Sequence, residues 1–359
     1  MTVTRATRTP GWDTHAGDAS GYGTPMMLPK PRGPLGEALF ERLRETADGP
    51  ADRSLVVDGP LAEAWPDEVP DGTTDATDAA LSLWVLHELS YRGFEDVPDR
   101  AETDPVAQAL RTTLEDDLEQ RLRERWVAGP GHDVEPADVP TALFDLVAAD
   151  DGPSLAAHVH RRADRDQALE LLQQRSIYHL KEADPSSWVI PRLPVRSKAA
   201  LVELQFDEYG DGDPNRLHAH LFARGMDASG LRPDYGAYID DALPEVLEMN
   251  NAQSTFGLRR HLRGAAMGHL AAFEMTSSLP SRKMAQGLER VGLPAEMAHY
   301  YSEHVEADAV HEHLAARDIC GTLAEDEPGQ AAEVMFGAFT CLDQEARFAS
   351  AMFASWGEE

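Results

Sequence analysis

The most informative segment of the sequence is HVEADAVHEH, residues 304–313. His304, Asp308 and His311 are spaced by four and then three residues, which brings side chains onto one face of an α-helix. At about 100° per residue, with His304 at zero, Asp308 falls near +40° and His311 near −20°, whereas His313 falls near 180°. The pattern therefore predicts three metal-ligating side chains on one helical stripe and excludes His313 from it.

The composition restricts the class of protein. The chain has 359 residues, 42% of them hydrophobic, which is enough for a substantial core. Acidic residues outnumber basic ones by 63 to 32, and the net charge of −31 argues against nucleic acid and anionic membranes as partners. Because there are two cysteines, no apolar membrane span and no secretory signal in the first residues, we expect a cytoplasmic protein.

Apolar residues recur with helical spacing along most of the chain, which predicts an all-α fold. Apolar residues four apart occupy residues 110–126, behind a first-turn proline at Pro105. A second stripe, with alternating steps of four and three, occupies residues 335–356. The one strand candidate is residues 54–57, and no repeated strand–helix pattern is present.

Changes in composition divide the chain into three parts. Residues 1–33 are rich in Gly, Pro, Thr and Asp, which predicts a disordered tail. Segments rich in Pro, Gly and Asp at 129–140 and 183–194 suggest boundaries. We therefore expect an N-terminal helical region at 34–160 and a helical bundle at 161–359.

Two acidic residues interrupt apolar helical faces. Glu208 continues the stripe of Leu201 and Leu204, and Glu274 continues that of Leu270. Because an unpaired buried carboxylate is costly, each acid needs a hydrogen bond, an ion pair or a metal ion. For either acid alone, an ordinary buried pair is the simpler explanation. Carboxylates and imidazoles from three helical segments together favour a pair of iron or manganese ions, whereas zinc sites usually contain cysteines or fewer acids.

His218 completes the candidate ligand set. It follows Glu208 after the helix-breaking segment YGDGDPN, so the two side chains flank a kink. The helix that carries Glu274 also contains a group of small residues, which predicts close packing on its neighbours. They are Gly264, Ala265, Ala266 and Gly268.

The pattern Glu208-x9-His218, Glu274 and His304-x3-Asp308-x2-His311 resembles that of the haem-oxygenase-like diiron oxidases and oxygenases, a family of iron-containing redox enzymes. The resemblance covers residues 165–359 and implies a haem-oxygenase-like bundle of about seven core helices with an N-terminal helical extension. It also implies that the six residues of the pattern hold two iron ions, although which ion each residue binds is left open. A manganese–iron pair is compatible with the same pattern. The ferritin-like arrangement, with two Glu-x-x-His motifs, is absent.

The resemblance also implies a function. The family uses O2 as co-substrate to oxidise small organic molecules, by N-oxygenation, C–C cleavage or desaturation of amino-acid-like or fatty-acid-like substrates. The resemblance is also compatible with a homodimer.

Two alternatives stay open: a non-catalytic metal-binding helical protein, and a metal-free, thiamin-degrading type of the same fold. The second requires a nucleophilic cysteine, and the apolar helical contexts of Cys320 and Cys341 make both poor candidates. Tyr300 and Tyr301 lie one turn before His304, where they serve as hydrogen-bond donors to the site, as a redox-active phenol or, more simply, as packing residues.

Overall fold

A computed structural model of the chain describes residues 26–46, 59–65, 74–127 and 129–358, without the side chains of residues 74–75 and 306–310. No β-strand occurs within these residues, so the predicted all-α fold is confirmed. The strand candidate at residues 54–57 lies outside the described residues, as do residues 1–25 of the predicted tail.

The α-helices of the described residues are numbered here in chain order. They are α1 (Pro34–Glu45), α2 (Gly59–Ala64), α3 (Thr74–Glu88), α4 (Pro105–Trp126), α5 (Val139–Ala148), α6 (Leu155–Arg161), α7 (Arg165–His179), α8 (Asp184–Ser187), α9 (Val195–Glu208), α10 (His218–Ala228), α11 (Pro244–Leu258), α12 (Arg263–Met275), α13 (Ser278–Arg290), α14 (Ala295–His313), α15 (Thr322–Asp326) and α16 (Ala331–Ser355). A π-helix, Leu314–Gly321, continues α14 directly. Short 3₁₀ turns occur at Asp99–Thr103, Pro136–Asp138, Ile190–Arg192, Gly210–Gly212, Ile239–Asp241, Arg260–Leu262 and Pro328–Gln330.

Helix α4 illustrates how local sequence determines a helix and its buried face. The Asp104 carboxylate caps the helix by accepting a hydrogen bond from the backbone N–H of Ala107 at 2.9 Å, and Pro105 occupies the first turn. The apolar residues spaced by four then form one buried stripe. They are Leu110, Leu114, Leu118, Leu122 and Trp126. The predicted helix is therefore confirmed.

The last residues of the predicted tail contact the folded body. The Leu28 side chain is buried, and its backbone N–H donates to the Asp96 carboxylate at 2.8 Å. The Arg32 guanidinium donates to the carbonyl oxygen of Ala242 at 2.7 Å. Residues 26–33 thus join the N-terminal region to the loop before α11.

The N-terminal helices pack on the C-terminal ones throughout. Helix α3 packs on α11, α4 on α16 and α6 on α13. Buried apolar side chains from both halves of the chain form one continuous core. The boundary expected near residue 160 stays a prediction, because the helices on its two sides share this core.

One buried carboxylate links the N-terminal helices to the bundle electrostatically. Glu115 on α4 accepts hydrogen bonds from His87 at 3.0 Å and from Arg111 at 2.9 Å, and it is also paired with Arg259. Burial raises the pKa of Glu115, but the hydrogen bond from His87 and the charge of Arg111 outweigh burial and lower this pKa to about 2. The ionised carboxylate therefore stabilises the contact between α3, α4 and the end of α11.

Helix α12 lies at the centre of the bundle and is almost wholly buried. It packs closely on α16, because Gly268 faces the backbone of Val334 and Gly337 faces the backbone of Ala265. A Cβ atom added to Gly268 would lie 2.6 Å from the carbonyl carbon of Val334. The close packing predicted from the small residues is confirmed. It fixes the position of Glu274 along the axis of the bundle.

Among the described residues, no helix combines the length and the apolar character that crossing a membrane requires.

Candidate metal centre

The predicted ligand residues converge where the ends of three helices meet the C-terminal half of α14. Glu208 is the last residue of α9, His218 the first of α10, and Glu274 the next-to-last of α12. His304 and His311 lie on α14. These five side chains are all buried. Asp308 lies on the same helix, but its side chain is outside the described residues.

The donor atoms form two groups that share one carboxylate. One group contains Glu182, Glu208, His218 and His304; the other contains Glu208, Glu274 and His311. Within each group, one donor atom from every residue lies within 4.8 Å of the others. Two adjacent groups with a common carboxylate are an arrangement suited to two cations held close together.

The break between α9 and α10 brings Glu208 and His218 together. Gly210 has a φ of +69°, and a Cβ atom there would lie 2.5 Å from the carbonyl carbon of Arg216. The chain therefore needs a glycine at this position to fold back tightly. As a result, His218 Nδ1 lies 3.0 Å from Glu208 Oε2. The kink predicted between the two residues is present.

The imidazole of His311 is held between three carboxylates. Its Nε2 lies 2.8 Å from Asp207 Oδ2, while its Nδ1 lies 3.3 Å from Glu274 Oε2 and 3.8 Å from Glu208 Oε1. Burial lowers the pKa of His311, but the hydrogen bond and charge of Glu274 outweigh it and raise this pKa to about 9. Burial, reinforced by the charge of Glu208, raises the pKa of Glu274 itself. Asp207 thus orients the ring so that Nδ1 faces the shared carboxylate.

A backbone contact orients His304 in the other group. Its Nδ1 donates to the carbonyl oxygen of Tyr300 at 2.8 Å, so Nε2 faces Glu182 Oε1 at 3.7 Å. This tautomer follows from the hydrogen-bond geometry, because a carbonyl oxygen only accepts.

Glu182 is itself fixed by two neighbours. The Tyr300 hydroxyl donates to Glu182 Oε2 at 2.8 Å, and His179 Nδ1 lies 3.3 Å from Glu182 Oε1. Burial works against ionisation of this carboxyl, but its contacts with His179 and His304 lower its pKa well below the usual value. Burial also lowers the pKa of His179, although the charge of Glu182 opposes this shift.

Two residues of the site were missed by the sequence analysis. Glu182 lies in the turn between α7 and α8, outside any helical stripe, and Asp207 is half exposed beside Glu208. The spacing His179-x2-Glu182 brings these two side chains close together, but His179 belongs to neither donor group, so the spacing does not identify Glu182 as a ligand. Asp207 carries no signal either, since an acid next to a buried acid is usually solvated.

A chamber of about 210 Å³ opens onto the group that contains Glu182 and His304. Most of its wall is apolar, including Leu171 and Met284. Its polar part includes the ion pair of Arg175 with Glu345, whose Nη2 and Oε2 atoms are 2.6 Å apart. Sequence periodicity did not predict this chamber.

A much smaller void, of about 10 Å³, borders donors of both groups. Its lining includes Glu182, Glu208, Glu274 and His304. The void and the chamber share four lining residues, which therefore lie at the boundary between the donor atoms and the larger space: Glu182, Phe273, Ser277 and His304.

Comparison with protein families identifies the segment that contains these residues. A model of a family described as iron-containing redox enzymes matches residues 169–346. Residues 169–346 belong to this family. The iron-containing redox enzyme segment contains both donor groups, and the family resemblance stated from the sequence is confirmed for these residues.

Two solved structures are similar to part of the chain. Both are of a CADD-like protein of unknown function from Nostoc punctiforme, at 2.00 Å and 1.35 Å resolution. The identity is 14% in each case, and the TM-scores are 0.42 and 0.41. The matches cover 68% of this chain and 98% and 96% of the CADD-like chains. No curated protein matches the chain.

Proposed function

We propose that the protein is a non-haem diiron oxidoreductase that uses O2 to oxidise a small organic molecule bound in the chamber. The observation that carries this proposal is the pair of buried donor groups sharing Glu208, with the chamber open to one of them. Membership of the iron-containing redox enzyme family over residues 169–346 supports it.

The donor set fits iron. It consists of carboxylate oxygens and imidazole nitrogens, which suit iron and manganese, and neither group contains a cysteine. The proposed ligands are Glu182, Glu208, His218, Glu274, His304 and His311, with Asp308 added from its place in the sequence pattern. Helix α14 supplies three of them, because residues 304, 308 and 311 share one face.

The electrostatics of the site favour bound cations. Glu182, Glu208 and Glu274 are each at most 6% exposed, and burying carboxylates is costly unless positive charge or hydrogen bonds compensate. Glu274 has a raised pKa here because burial and the nearby Glu208 both oppose its ionisation. Two divalent cations would offset these charges.

Two bound ferrous ions would supply the electrons for O2 reduction, which protein side chains do not provide. The chain's own residues orient and enclose the site. Asp207 holds the His311 ring through Nε2, and the carbonyl of Tyr300 holds the His304 ring through Nδ1. The Tyr300 hydroxyl keeps Glu182 directed at His304.

The chamber would bind the substrate next to the Glu182 and His304 side of the centre. Its apolar wall would exclude water from the reacting atoms, and the phenols of Tyr300 and Tyr301 offer polar contacts. We propose N-oxygenation, C–C cleavage or desaturation of an amino-acid-like or fatty-acid-like molecule as the reaction.

Two observations disfavour the alternatives. An apolar chamber beside the donor atoms has no role in simple metal storage. Cys320 and Cys341 are both buried, and burial raises the pKa of each thiol, so neither is a ready nucleophile for metal-free chemistry.

The test is anaerobic loading with ferrous iron, metal analysis, and measurement of O2 consumption with candidate substrates. Wild-type protein should retain two irons per chain and consume O2 faster when a substrate is present. Glu208→Gln should retain at most one iron, because both groups lose a shared donor. Glu203→Gln is the matched control, since Glu203 is an exposed acid on the same helix. A wild-type protein that retains no iron would overturn the proposal.

A further inference from the structure

The turn that carries Glu182 has an unusual backbone. It comprises residues 180–183, between α7 and α8. Ala183 has a φ of 70° and a ψ of −27°, a conformation that residues with a side chain rarely adopt. Such a conformation persists only where surrounding contacts hold it, and it is common beside functional sites. The contacts that hold this turn therefore bear on the position of Glu182.

Adjacent residues of the turn face opposite regions of the protein. Glu182 faces the donor groups, whereas Lys181 faces α3 of the N-terminal region. The Lys181 side chain is 1% exposed, and its Nζ donates to Glu88 Oε1 at 2.5 Å. Because the turn is short, a force that fixes Lys181 on one side also fixes the direction of Glu182 on the other.

The ion pair is enclosed and its acceptor is fully engaged. Glu88 is wholly buried, and its second oxygen accepts a hydrogen bond from the Tyr235 hydroxyl at 2.7 Å. The Lys181 ammonium lies 4.8 Å from the ring centre of Tyr91 and 5.6 Å from that of Trp84. A buried pair of this kind contributes little net stability compared with apolar residues, so a role in fixing geometry is the better explanation for it.

A second contact from the same region reaches the turn. The Arg92 guanidinium, in the loop after α3, donates to the carbonyl oxygen of Leu180 at 3.2 Å. On the far side, the Tyr209 hydroxyl donates to the Asp184 carboxylate at 2.8 Å. The turn is thus held at both ends, and at one end the contacts come from residues 88–92.

We propose that the Glu88–Lys181 ion pair is the means by which the N-terminal helical region positions Glu182 for metal binding. Glu88 and Lys181 are then positioning residues, and the N-terminal region has a direct part in the chemistry of the bundle. This inference rests on the proposed function, because it takes Glu182 to be a metal ligand.

The test uses the double variant Glu88→Gln/Lys181→Met, which removes both charges and keeps similar volumes. Cobalt(II) is titrated anaerobically into wild type, the double variant and Glu182→Gln, and the visible absorption of the bound ion is recorded. We expect the affinity of one of the two binding steps to fall by about 10- to 100-fold in the double variant, as is usual when a residue that orients a ligand is lost. The absorption spectrum should change in the same way as in Glu182→Gln.

The matched control is Arg125→Met/Glu248→Gln, which removes a partly buried ion pair between an N-terminal helix and the bundle. Neither residue belongs to the donor groups or to the turn. The control should lower the melting temperature by a similar amount but leave both cobalt affinities and the spectrum as in wild type. An equal loss of cobalt affinity in both double variants would show that the Glu88–Lys181 pair acts only through overall stability, and it would overturn the inference.

The outcomes separate the two claims. If the wild-type protein binds neither cobalt nor iron, both the proposed function and the inference are wrong. Wild-type binding together with unchanged affinity in Glu88→Gln/Lys181→Met leaves the proposed function standing and overturns the inference alone. If the double variant does not fold, Tyr235→Phe decides, because it removes only the second hydrogen bond to Glu88 and should weaken the same binding step by several-fold.

Discussion

The close contact between α12 and α16 makes Gly268→Ala a sensitive test of the fold and of the metal centre together. The added methyl carbon would overlap the carbonyl oxygen of Val334, and it would lie 2.6 Å from the carbonyl carbon and 2.9 Å from the Cα of that residue. All three neighbours are backbone atoms, so no change of side-chain rotamer can relieve the overlap. The two helix axes must move apart.

The size of the movement follows from ordinary contact distances. Carbon atoms pack at 3.4 Å or more, so the helices must separate by at least 0.8 Å, the difference between 3.4 Å and 2.6 Å. Overpacking of this kind costs roughly 1–3 kcal/mol and sometimes more. Replacing glycine by alanine within a helix returns about 1 kcal/mol through helix propensity. The carbonyl oxygen of Val334 lies closer still to the added carbon, so the cost of overpacking should lie at the upper end of its range, at roughly 3 kcal/mol. We therefore expect a net loss of about 2 kcal/mol in the free energy of unfolding.

The same movement should impair metal binding. Glu274 lies six residues after Gly268, roughly 9 Å further along the same helix, and shifts with it. A displacement near 1 Å at a reacting centre can reduce a rate by about 100-fold. Urea unfolding followed by circular dichroism measures the stability, and anaerobic iron titration with O2 uptake measures the site.

Gly329→Ala is the matched control, because nothing lies within 4 Å of the Cβ atom it adds. It should change the unfolding free energy by no more than about 0.5 kcal/mol. If Gly268→Ala is as stable as this control and binds iron normally, α12 and α16 are not packed backbone to backbone, and the account of how Glu274 is placed is wrong.

Three further predictions concern single side chains. His311→Ala should reduce bound iron from two ions to one and abolish O2 uptake. His313→Ala, at a side chain that is 56% exposed, should retain both ions and the uptake. Equal losses in the two variants would contradict the prediction that His311 faces the site and His313 faces away from it. Asp207→Asn should weaken iron binding by about 10-fold in metal titrations, because it loses the charge that orients His311, and an unchanged affinity would remove Asp207 from the site. The pKa of Glu115 is lowered from 4.5 to about 2, so its stabilising contribution is complete above pH 4.5 and is lost as the pH falls towards 2. The difference in unfolding free energy between wild type and Glu115→Gln should therefore narrow by about 1.4 kcal/mol from pH 7 to pH 3.5, and a constant difference would show that this carboxyl has an ordinary pKa.

Local sequence was informative where a residue sits on a regular helix. Glu208 and Glu274 each continued an apolar stripe, and both are buried at the ends of α9 and α12. The period of 3.6 residues also predicted that His304 and His311 lie on one side of α14 and that His313 lies on the opposite side. His218 was placed correctly across a kink because Gly and Pro mark breaks in helices.

The two residues of the site that were missed, Glu182 and Asp207, are both placed by contacts with distant parts of the chain. Glu182 belongs to a turn, where side-chain direction follows from individual backbone dihedrals and not from a period. Asp207 has the sequence context of a solvated acid, and only the approach of His311 gives it a structural role. The chamber likewise arises between helices that are distant in sequence, so no local pattern records it.

Helical periodicity was therefore sufficient for the all-α fold and for the buried facing of most of the candidate ligands, because both depend on residues within a few turns of one another. The family came from the resemblance of the ligand pattern to a known one, not from periodicity. Tertiary contacts alone directed Glu182 into the site. Glu88, which binds Lys181, is 93 residues from it along the chain, and Tyr300, which binds Glu182, is 118 residues from it. Contacts over such separations form only when the helices pack, and a single sequence carries no periodic signal for them.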